Sequence, residues 1–132
     1  MLGMDKKSSR NGTNTVETLI GPRVVIRGDV QFSGGLYVEG KIIGKISAEE
    51  GSSAVFTVSE QGLVDGEVHA PIVIIAGSLN GDVHASERIE LSPTAKIQGN
   101  VHYKIVEMAA GATLTGRLIH ADAPVSQPVQ SP

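Results

Sequence analysis

The sequence predicts an all-β protein, a parallel β-helix of about six triangular windings built from short strands. The main observation is a phrase in which a glycine has one apolar residue two positions before it and another two positions after it. Strict alternation of apolar and polar residues around each copy indicates one buried and one solvated side. Helical periodicity of useful length is absent from the sequence. The phrase occurs six times, around Gly28, Gly44, Gly66, Gly81, Gly99 and Gly116.

The composition limits the class of protein and the class of partner. A chain of 132 residues forms one domain, and its net charge of −3 gives no bias towards nucleic acid. Aromatic residues make up 3%, too few for a base-stacking surface, and the absence of cysteine excludes disulfides and thiolate sites. There is no signal-peptide hydrophobic region and no apolar run long enough to span a bilayer. We therefore expect a cytoplasmic protein that binds no nucleic acid.

Residues 1–18 are polar after the first four, so we expect a disordered N-terminal tail. Leu2 occupies the place where myristoylation needs glycine, and Gly3 comes one position late. Apolar and basic side chains at the start suit the headgroup region of an anionic membrane. The alternative is an ordinary disordered start whose lysines serve solubility. The candidate membrane-binding residues are Met1, Leu2, Met4, Lys6, Lys7 and Arg10.

Residues 19–121 are predicted to form the β-helix domain, after an initial turn at residues 19–23. The central glycines are 15 to 22 residues apart, and alternation places each of them inward, at a tight corner that glycine reaches without strain. From the second winding onwards an apolar pair precedes each phrase, which leaves room for three short strands per winding. The members of these pairs, all predicted to face inward, are Leu36 and Val38, Phe56 and Val58, Ile72 and Ile74, Ile89 and Leu91, and Val106 and Met108.

Insertions and prolines fall between the phrases, where the corners are expected. The longest step between central glycines contains the polar segment AEEGSSA at residues 48–54, which a corner can extrude. Its paired carboxylates, Glu49 and Glu50, are interpreted as part of a solvated corner. Pro71 and Pro93 lie where no ladder hydrogen bond is lost.

Residues 122–132 are predicted to form a disordered, Pro-rich C-terminal tail. Proline recurs every four residues here, and this composition favours an extended and solvated chain. Two roles remain open for this tail, a spacer or a docking peptide.

The positions directly after the central glycines alternate in charge in the first three windings. Asp29, Lys45 and Glu67 occupy these positions, and we expect them to form ion pairs along the stack. Exposed pairs of this kind contribute about 0–1 kcal/mol each, so they serve register and solubility.

Three histidines recur in phase with the glycines. His69, His84 and His102 each follow a central glycine by three residues, so stacking places them in an outward ladder about 4.8 Å apart. His120 is one residue out of phase. Stacked parallel rings do not converge on one ion as a zinc site requires, and we expect a structural ladder with no metal site.

No Ser-His-Asp arrangement, phosphate-binding loop or Cys/His zinc pattern is recognisable, so we predict no catalytic residue and no cofactor. One enzymatic alternative stays open, a trimeric β-helix enzyme of the acyltransferase or carbonic-anhydrase kind. In such trimers histidines can converge across a subunit interface. The variable winding length, the lack of a long protruding loop and the lack of a C-terminal helix count against it.

Both terminal windings are apolar and have no polar capping repeat. A parallel β-helix leaves unpaired backbone edges at its two ends, and most solenoids cover them. We therefore expect the ends of this chain to join end to end with other copies. The candidate polymer-interface residues are Val24, Ile26, Val30 and Phe32 in the first winding and Val106, Met108, Leu114 and Leu118 in the last.

Six phrases in phase between two short tails, over residues 20–121, resemble the bactofilin family of bacterial cytoskeletal proteins. The 15- to 22-residue spacing differs from the nearly constant hexapeptide repeat of left-handed β-helices. The resemblance implies a right-handed parallel β-helix of about six windings. It also points to an aromatic residue in the last winding at one interface. No Phe stands there, so Met108, Leu114 and Leu118 are the candidates.

The resemblance further implies polymerisation without nucleotide into non-polar filaments, joined head-to-head and tail-to-tail. It implies attachment to the inner face of the cytoplasmic membrane by a short N-terminal peptide, and a scaffold role in cell shape or in localising cell-wall enzymes. The expected partners are therefore other copies of the chain, membrane lipid and cell-wall enzymes or membrane proteins.

Overall fold

The computed structural model describes residues 18–49 and 53–120, and every regular element within them is a β-strand. The two predicted tails, except Thr18, and Glu50 lie outside the described residues. The strands are β1 (Thr18–Ile20), β2 (Val25–Arg27), β3 (Val30–Phe32), β4 (Gly35–Val38), β5 (Lys41–Ile43), β6 (Ile46–Ala48), β7 (Val55–Val58), β8 (Leu63–Asp65), β9 (Val68–Ile75), β10 (Ser78–Asn80), β11 (Val83–Leu91), β12 (Lys96–Tyr103), β13 (Ile105–Met108) and β14 (Thr113–His120).

All strand pairs are parallel, and they stack into a solenoid of about six windings with three faces. The predicted all-β solenoid is confirmed. The first face consists of β1, β4, β7, the second half of β9, the second half of β11, and β13. The second face consists of β2, β5, β8, β10 and the first halves of β12 and β14. The third face consists of β3, β6, the first halves of β9 and β11, and the second halves of β12 and β14.

The core is made of inward columns in which each apolar residue lies on its counterpart one winding away. On the second face this column contains Ile42, Val64, Leu79 and Ile97, all at most 1% exposed. No winding covers these side chains alone, because the strands of one winding are too short to enclose them. Stacking removes their apolar area from water at about 25 cal/mol per Å², so the core and the stacking form together.

The central glycines form the corner between the second and third faces, with positive φ angles of 131° to 149°. A Cβ placed on Gly81 would lie 2.8 Å from the carbonyl carbon of Gly66, one winding earlier, and closer still to its oxygen. The missing side chain therefore points along the stack onto the preceding winding. Alternation had predicted that these glycines face inward, and this was wrong in direction, because the positive φ turns the Cα–Hα bonds along the axis.

Aspartates at this corner bind backbone amides of the next winding. The Lys45 N–H donates to Asp29 Oδ1 over 3.3 Å, and the Asn100 N–H donates to Asp82 Oδ1 over 3.1 Å. The turn at the glycine takes these amides out of the strand ladder, and a carboxylate satisfies them. The expected ion pairs among Asp29, Lys45 and Glu67 do not form within the described residues.

One predicted inward pair has the wrong phase. Val73 and Ile75 are fully buried, whereas Ile72 and Ile74 face outward and are partly exposed. The segment is apolar throughout, so alternation does not define its phase, and register with the buried Phe56 opposite Val73 decides it. The predicted initial turn is also displaced, since residues 18–20 form β1 and the chain turns only afterwards.

Candidate functional site at the two ends of the solenoid

The first winding presents a partly uncovered apolar surface. Ile26, Val30 and Phe32 pack against the core but remain partly exposed, and the Phe32 ring lies 6.0 Å from that of Phe56. Val24, at the corner before β2, is 43% exposed. All four residues predicted for this end therefore lie at the first winding with accessible apolar surface.

The last winding is uncovered in the same way. Met108 and Leu118 are 45% and 42% exposed, whereas Leu91 and Val101, one winding below them, are at most 2% exposed. Val106 and Leu114 are partly buried against the core. These residues of the last winding are as apolar as the core residues beneath them, but they are not fully buried. Covering a Met or Leu fully contributes roughly 1.5–3 kcal/mol, and these two have about half of that still to gain.

An aromatic pair lies beside this end. The rings of Tyr103 and His120 meet edge to face at 5.3 Å, and His120 Nε2 lies 3.1 Å from the Lys104 carbonyl oxygen. His120 is opposite Tyr103 in the strand register, so it is out of phase with the other histidines, as its spacing predicts.

The backbone edges of the terminal windings have one strand partner only. Within the described residues β2 pairs only with β5, and β14 pairs only with β12. The open side is also visible at the corner glycines. A Cβ on Gly44 would lie 2.6 Å from the carbonyl carbon of Gly28, whereas a Cβ on Gly28 would meet no atom of the described residues within 4 Å. Among residues 18–49 and 53–120, the ladder of the first winding is therefore open on its outer side.

Three strongly exposed apolar residues of the terminal windings were not predicted as interface residues. Leu19, Val25 and Ile105 are 59%, 53% and 53% exposed. They occupy outward positions, in register with Tyr37, Lys41 and Arg88. Their parity in the alternation could have identified them as outward-facing, but not as functional.

The predicted histidine ladder is present on the third face. The rings of His69 and His84 are stacked 4.3 Å apart, as are those of His84 and His102, with interplanar angles of 6° and 7°. His69 Nε2 lies 3.3 Å from Glu67 Oε1. Burial, and then repulsion from the two neighbouring imidazoles, lowers the pKa of His84 below its ordinary value, while Glu67 and Asp82 partly oppose this.

Two features bear on an enzymatic role, the arrangement of metal-ligating side chains and a segment with glycine and lysine spacing. Residues 18–49 and 53–120 contain no group of three or more His, Asp or Glu side chains that could hold a metal ion. Residues 35–41 have the glycine and lysine spacing of a phosphate-binding loop, but Ile42 replaces the required Ser or Thr. They form β4, a corner and the start of β5, so no helix N-terminus follows to hold a phosphate.

The six candidate membrane-binding residues, from Met1 to Arg10, lie outside the described residues. In the segments that are described, no helix is long and apolar enough to cross a membrane.

Comparison with known proteins gives a consistent family. A family model described as "Bactofilin: Polymer-forming cytoskeletal" matches residues 18–119. The chain is 29% identical over 109 residues to Bactofilin BacO of Myxococcus xanthus, and the match covers 83% of each chain. It is 26% identical over 121 residues to Bactofilin BacP of the same organism, covering 91% of this chain and 49% of BacP. No solved structure matches the chain.

Proposed function

This chain belongs to the bactofilin family of polymer-forming cytoskeletal proteins, and we propose that it is a cytoskeletal scaffold whose filaments grow by contacts between the ends of its solenoid. The filaments are non-polar and assemble without nucleotide. They lie on the inner face of the cytoplasmic membrane, where they support cell shape or position cell-wall enzymes. In this proposal the protein is a structural protein and not an enzyme.

The observation that carries the proposal is the pair of apolar, half-covered terminal windings. Met108 and Leu118 at one end, and Val24 at the other, expose over 40% of their surface, although their neighbours one winding further in are buried or partly covered. Stacking a second copy on each end would bury these side chains. It would also pair the open backbone edges, which otherwise template non-specific aggregation.

The non-polar character follows from how the ends meet. The first end has Phe32 and Val30 and the last end has Met108 and Leu118, so the two surfaces differ in composition. If each end joins its own kind, every junction has a two-fold axis and the filament has no overall direction. Assembly without nucleotide agrees with the structure of residues 35–41. Their spacing approaches that of a phosphate-binding loop, but they form strands and a corner.

Membrane association is assigned to Met1, Leu2, Met4, Lys6, Lys7 and Arg10. Three basic residues contribute about 1 kcal/mol each at an anionic leaflet, and inserted apolar side chains add to this. Ordering the peptide costs part of the gain, so one copy binds weakly. A filament presents many copies, and the later contacts become intramolecular.

The test compares two single variants, one at an inward residue of the last winding and one at its outward neighbour. Leu114→Arg would bury an unpaired charge at the junction, at a cost of roughly several kcal/mol. Thr115→Arg, on the same strand but exposed, adds the same charge outside the junction. We expect wild type and Thr115→Arg to pellet and to form filaments in negative-stain images without nucleotide. Leu114→Arg should remain as short, folded species.

Two outcomes would contradict the proposal. If Leu114→Arg pellets like Thr115→Arg, the last winding is not a polymer interface. Compact trimers in place of wild-type filaments would instead favour the enzymatic alternative, although the parallel imidazoles of His69, His84 and His102 do not converge within one chain.

A further inference from the structure

An apolar patch covers the middle of the first face on its outward side. Tyr37, Thr57 and Ile74 are in register in one outward column, and Val55 and Ile72 are in register in the next. Each of the five side chains is partly exposed. We call these five residues the first-face patch.

The other two faces are more polar at the same height, although Ile43 and Leu63 face outward on the second face. The outward positions of the second face include exposed Lys41, Asp65, Asn80 and Lys96. Those of the third face carry the histidine ladder. The first face therefore has the more continuous outward apolar surface at this height.

The strand at the centre of the patch has the composition of a strand covered on both sides. Residues 72–75 read IVII, with Val73 and Ile75 in the core and Ile72 and Ile74 outside. Continuous apolar runs are typical of strands in sheets that are packed on both faces, whereas half-solvated strands alternate. This run predicts a second layer over the first face.

We propose that the second layer is the first face of another copy in a neighbouring filament, so that filaments pair laterally face to face. The proposal rests on the proposed function, because it requires a filament. It adds the surface by which filaments associate, which differs from the end-to-end junctions.

The charges above the patch support a second copy as the occupant. Arg88 forms ion pairs with Glu90, in the same strand, and with Glu107 Oε2 at 3.7 Å. The Arg88 side chain is 42% exposed, so a carboxylate of another copy can approach its guanidinium group.

The outward columns of the first face are complementary to themselves. A two-fold axis along the solenoid exchanges the two columns, so Arg88 faces the second copy's Glu90 and Ile72 faces its Ile74. A two-fold axis along the strands instead exchanges the winding that contains Arg88 with the winding that contains Gly35. Arg88 then faces the second copy's Gly35, where there is no side chain to obstruct it. Neither arrangement opposes two carboxylates.

A lipid surface fits these charges less well. An anionic leaflet would face the carboxylates of Glu90 and Glu107 next to the patch, which repel it. In a pair of copies related by the axis along the solenoid, Glu90 faces Arg88 instead of a negative charge. The observations therefore favour protein against protein at this face.

The size of the face explains why pairing needs the filament. Six windings about 4.8 Å apart and four residues wide cover roughly 400 Å². A stable interface between two proteins needs about 800 Å² per partner. One pair of copies is therefore too weak to persist, but filaments repeat the contact and make each further one intramolecular.

The test places a charge in the patch and the same charge on another face. Ile74→Glu alters the patch, and Ile43→Glu is the matched control, because Ile43 is a partly exposed, outward isoleucine on the second face. Electron micrographs count paired and single filaments for each variant. We expect wild type and Ile43→Glu to pair, and Ile74→Glu to form single filaments of normal length.

A second measurement uses the absence of cysteine from the chain. Thr57→Cys and Ile43→Cys proteins are polymerised and treated with a short bismaleimide, since packed sheets lie about 10 Å apart, beyond the reach of a disulfide. Cross-linked dimers should form at position 57 and not at position 43. In the Leu114→Arg background, position 57 should lose its cross-links, because single copies do not pair.

The results separate this proposal from the function on which it rests. If wild-type protein forms no filaments, both are wrong. If filaments form but stay single, or if Ile43→Glu separates them as well as Ile74→Glu does, only the pairing at the first face is refuted. If Ile74→Glu filaments stay paired, another surface pairs the filaments. If they stay paired but no longer bind anionic vesicles, the first face contacts lipid and not a second copy.

Discussion

Replacing a central glycine of the solenoid with alanine separates two costs, backbone strain and steric conflict between windings. Gly81 has a φ of 135°, and a Cβ there would lie 2.8 Å from the carbonyl carbon of Gly66. Gly28 has a similar φ of 131°, but a Cβ there would meet no atom within 4 Å in the part of the chain that the structure describes. Gly28→Ala is therefore a matched control that retains the strain and omits the conflict.

The magnitudes follow from these two geometries. A non-glycine residue in a sparsely populated backbone region costs about 1–3 kcal/mol, and both variants incur this cost. Forcing an extra methyl into a packed interior adds about 1–3 kcal/mol, and here the opposing atoms are backbone, which cannot change rotamer. We expect Gly28→Ala to lose about 1–3 kcal/mol of unfolding free energy and Gly81→Ala about 2–6 kcal/mol.

Urea unfolding followed by circular dichroism measures both values. Assembly raises apparent stability by mass action, so each variant is compared with wild type at several protein concentrations. A loss that is equal in the two variants would refute the steric contribution and leave only strain. A Gly81→Ala protein as stable as wild type would mean that windings can separate locally at this corner, contrary to the tight stacking described above.

Three further predictions concern the membrane peptide and the histidine ladder. Deleting residues 1–7 should abolish co-sedimentation with anionic liposomes and leave filaments intact. Leu114→Arg keeps the peptide but does not polymerise, so it should bind liposomes poorly. If the short species and the filaments bind liposomes equally well, binding does not depend on many copies acting together. Because the pKa of His84 is lowered in the folded state, its contribution to stability is fully present above the ordinary value of 6.5 and is lost as the pH falls through the folded pKa. Thermal unfolding should thus shift to lower temperature below about pH 6, and His84→Gln should reduce this shift; an unchanged shift would place the pH sensitivity elsewhere. Calorimetric titration with zinc at neutral pH should show only weak binding, lost when His69, His84 and His102 become Ala, whereas submicromolar binding at one ion per chain would favour an enzyme.

The sequence alone is sufficient to predict the windings, because glycine spacing and alternation are repeated six times and each repeat supports the others. Inward positions such as Ile42, Val64 and Leu79 follow from parity, and so does the outward ladder of His69 and its counterparts. The same parity identifies the apolar residues of the terminal windings, such as Met108. These features depend on local order along the chain, which alternation encodes directly.

The tertiary structure decided what local order cannot encode. Residues 72–75 are apolar throughout, so only register with the neighbouring winding shows that Val73 faces inward and Ile74 outward. Asp29 binds the Lys45 amide and not its ammonium group, because the glycine corner frees that amide from the ladder. The first-face patch is likewise visible only after stacking, since its members are far apart in sequence. Contacts between windings depend on register across the stack, and a single pass along the sequence specifies residues within a winding but not their neighbours above and below.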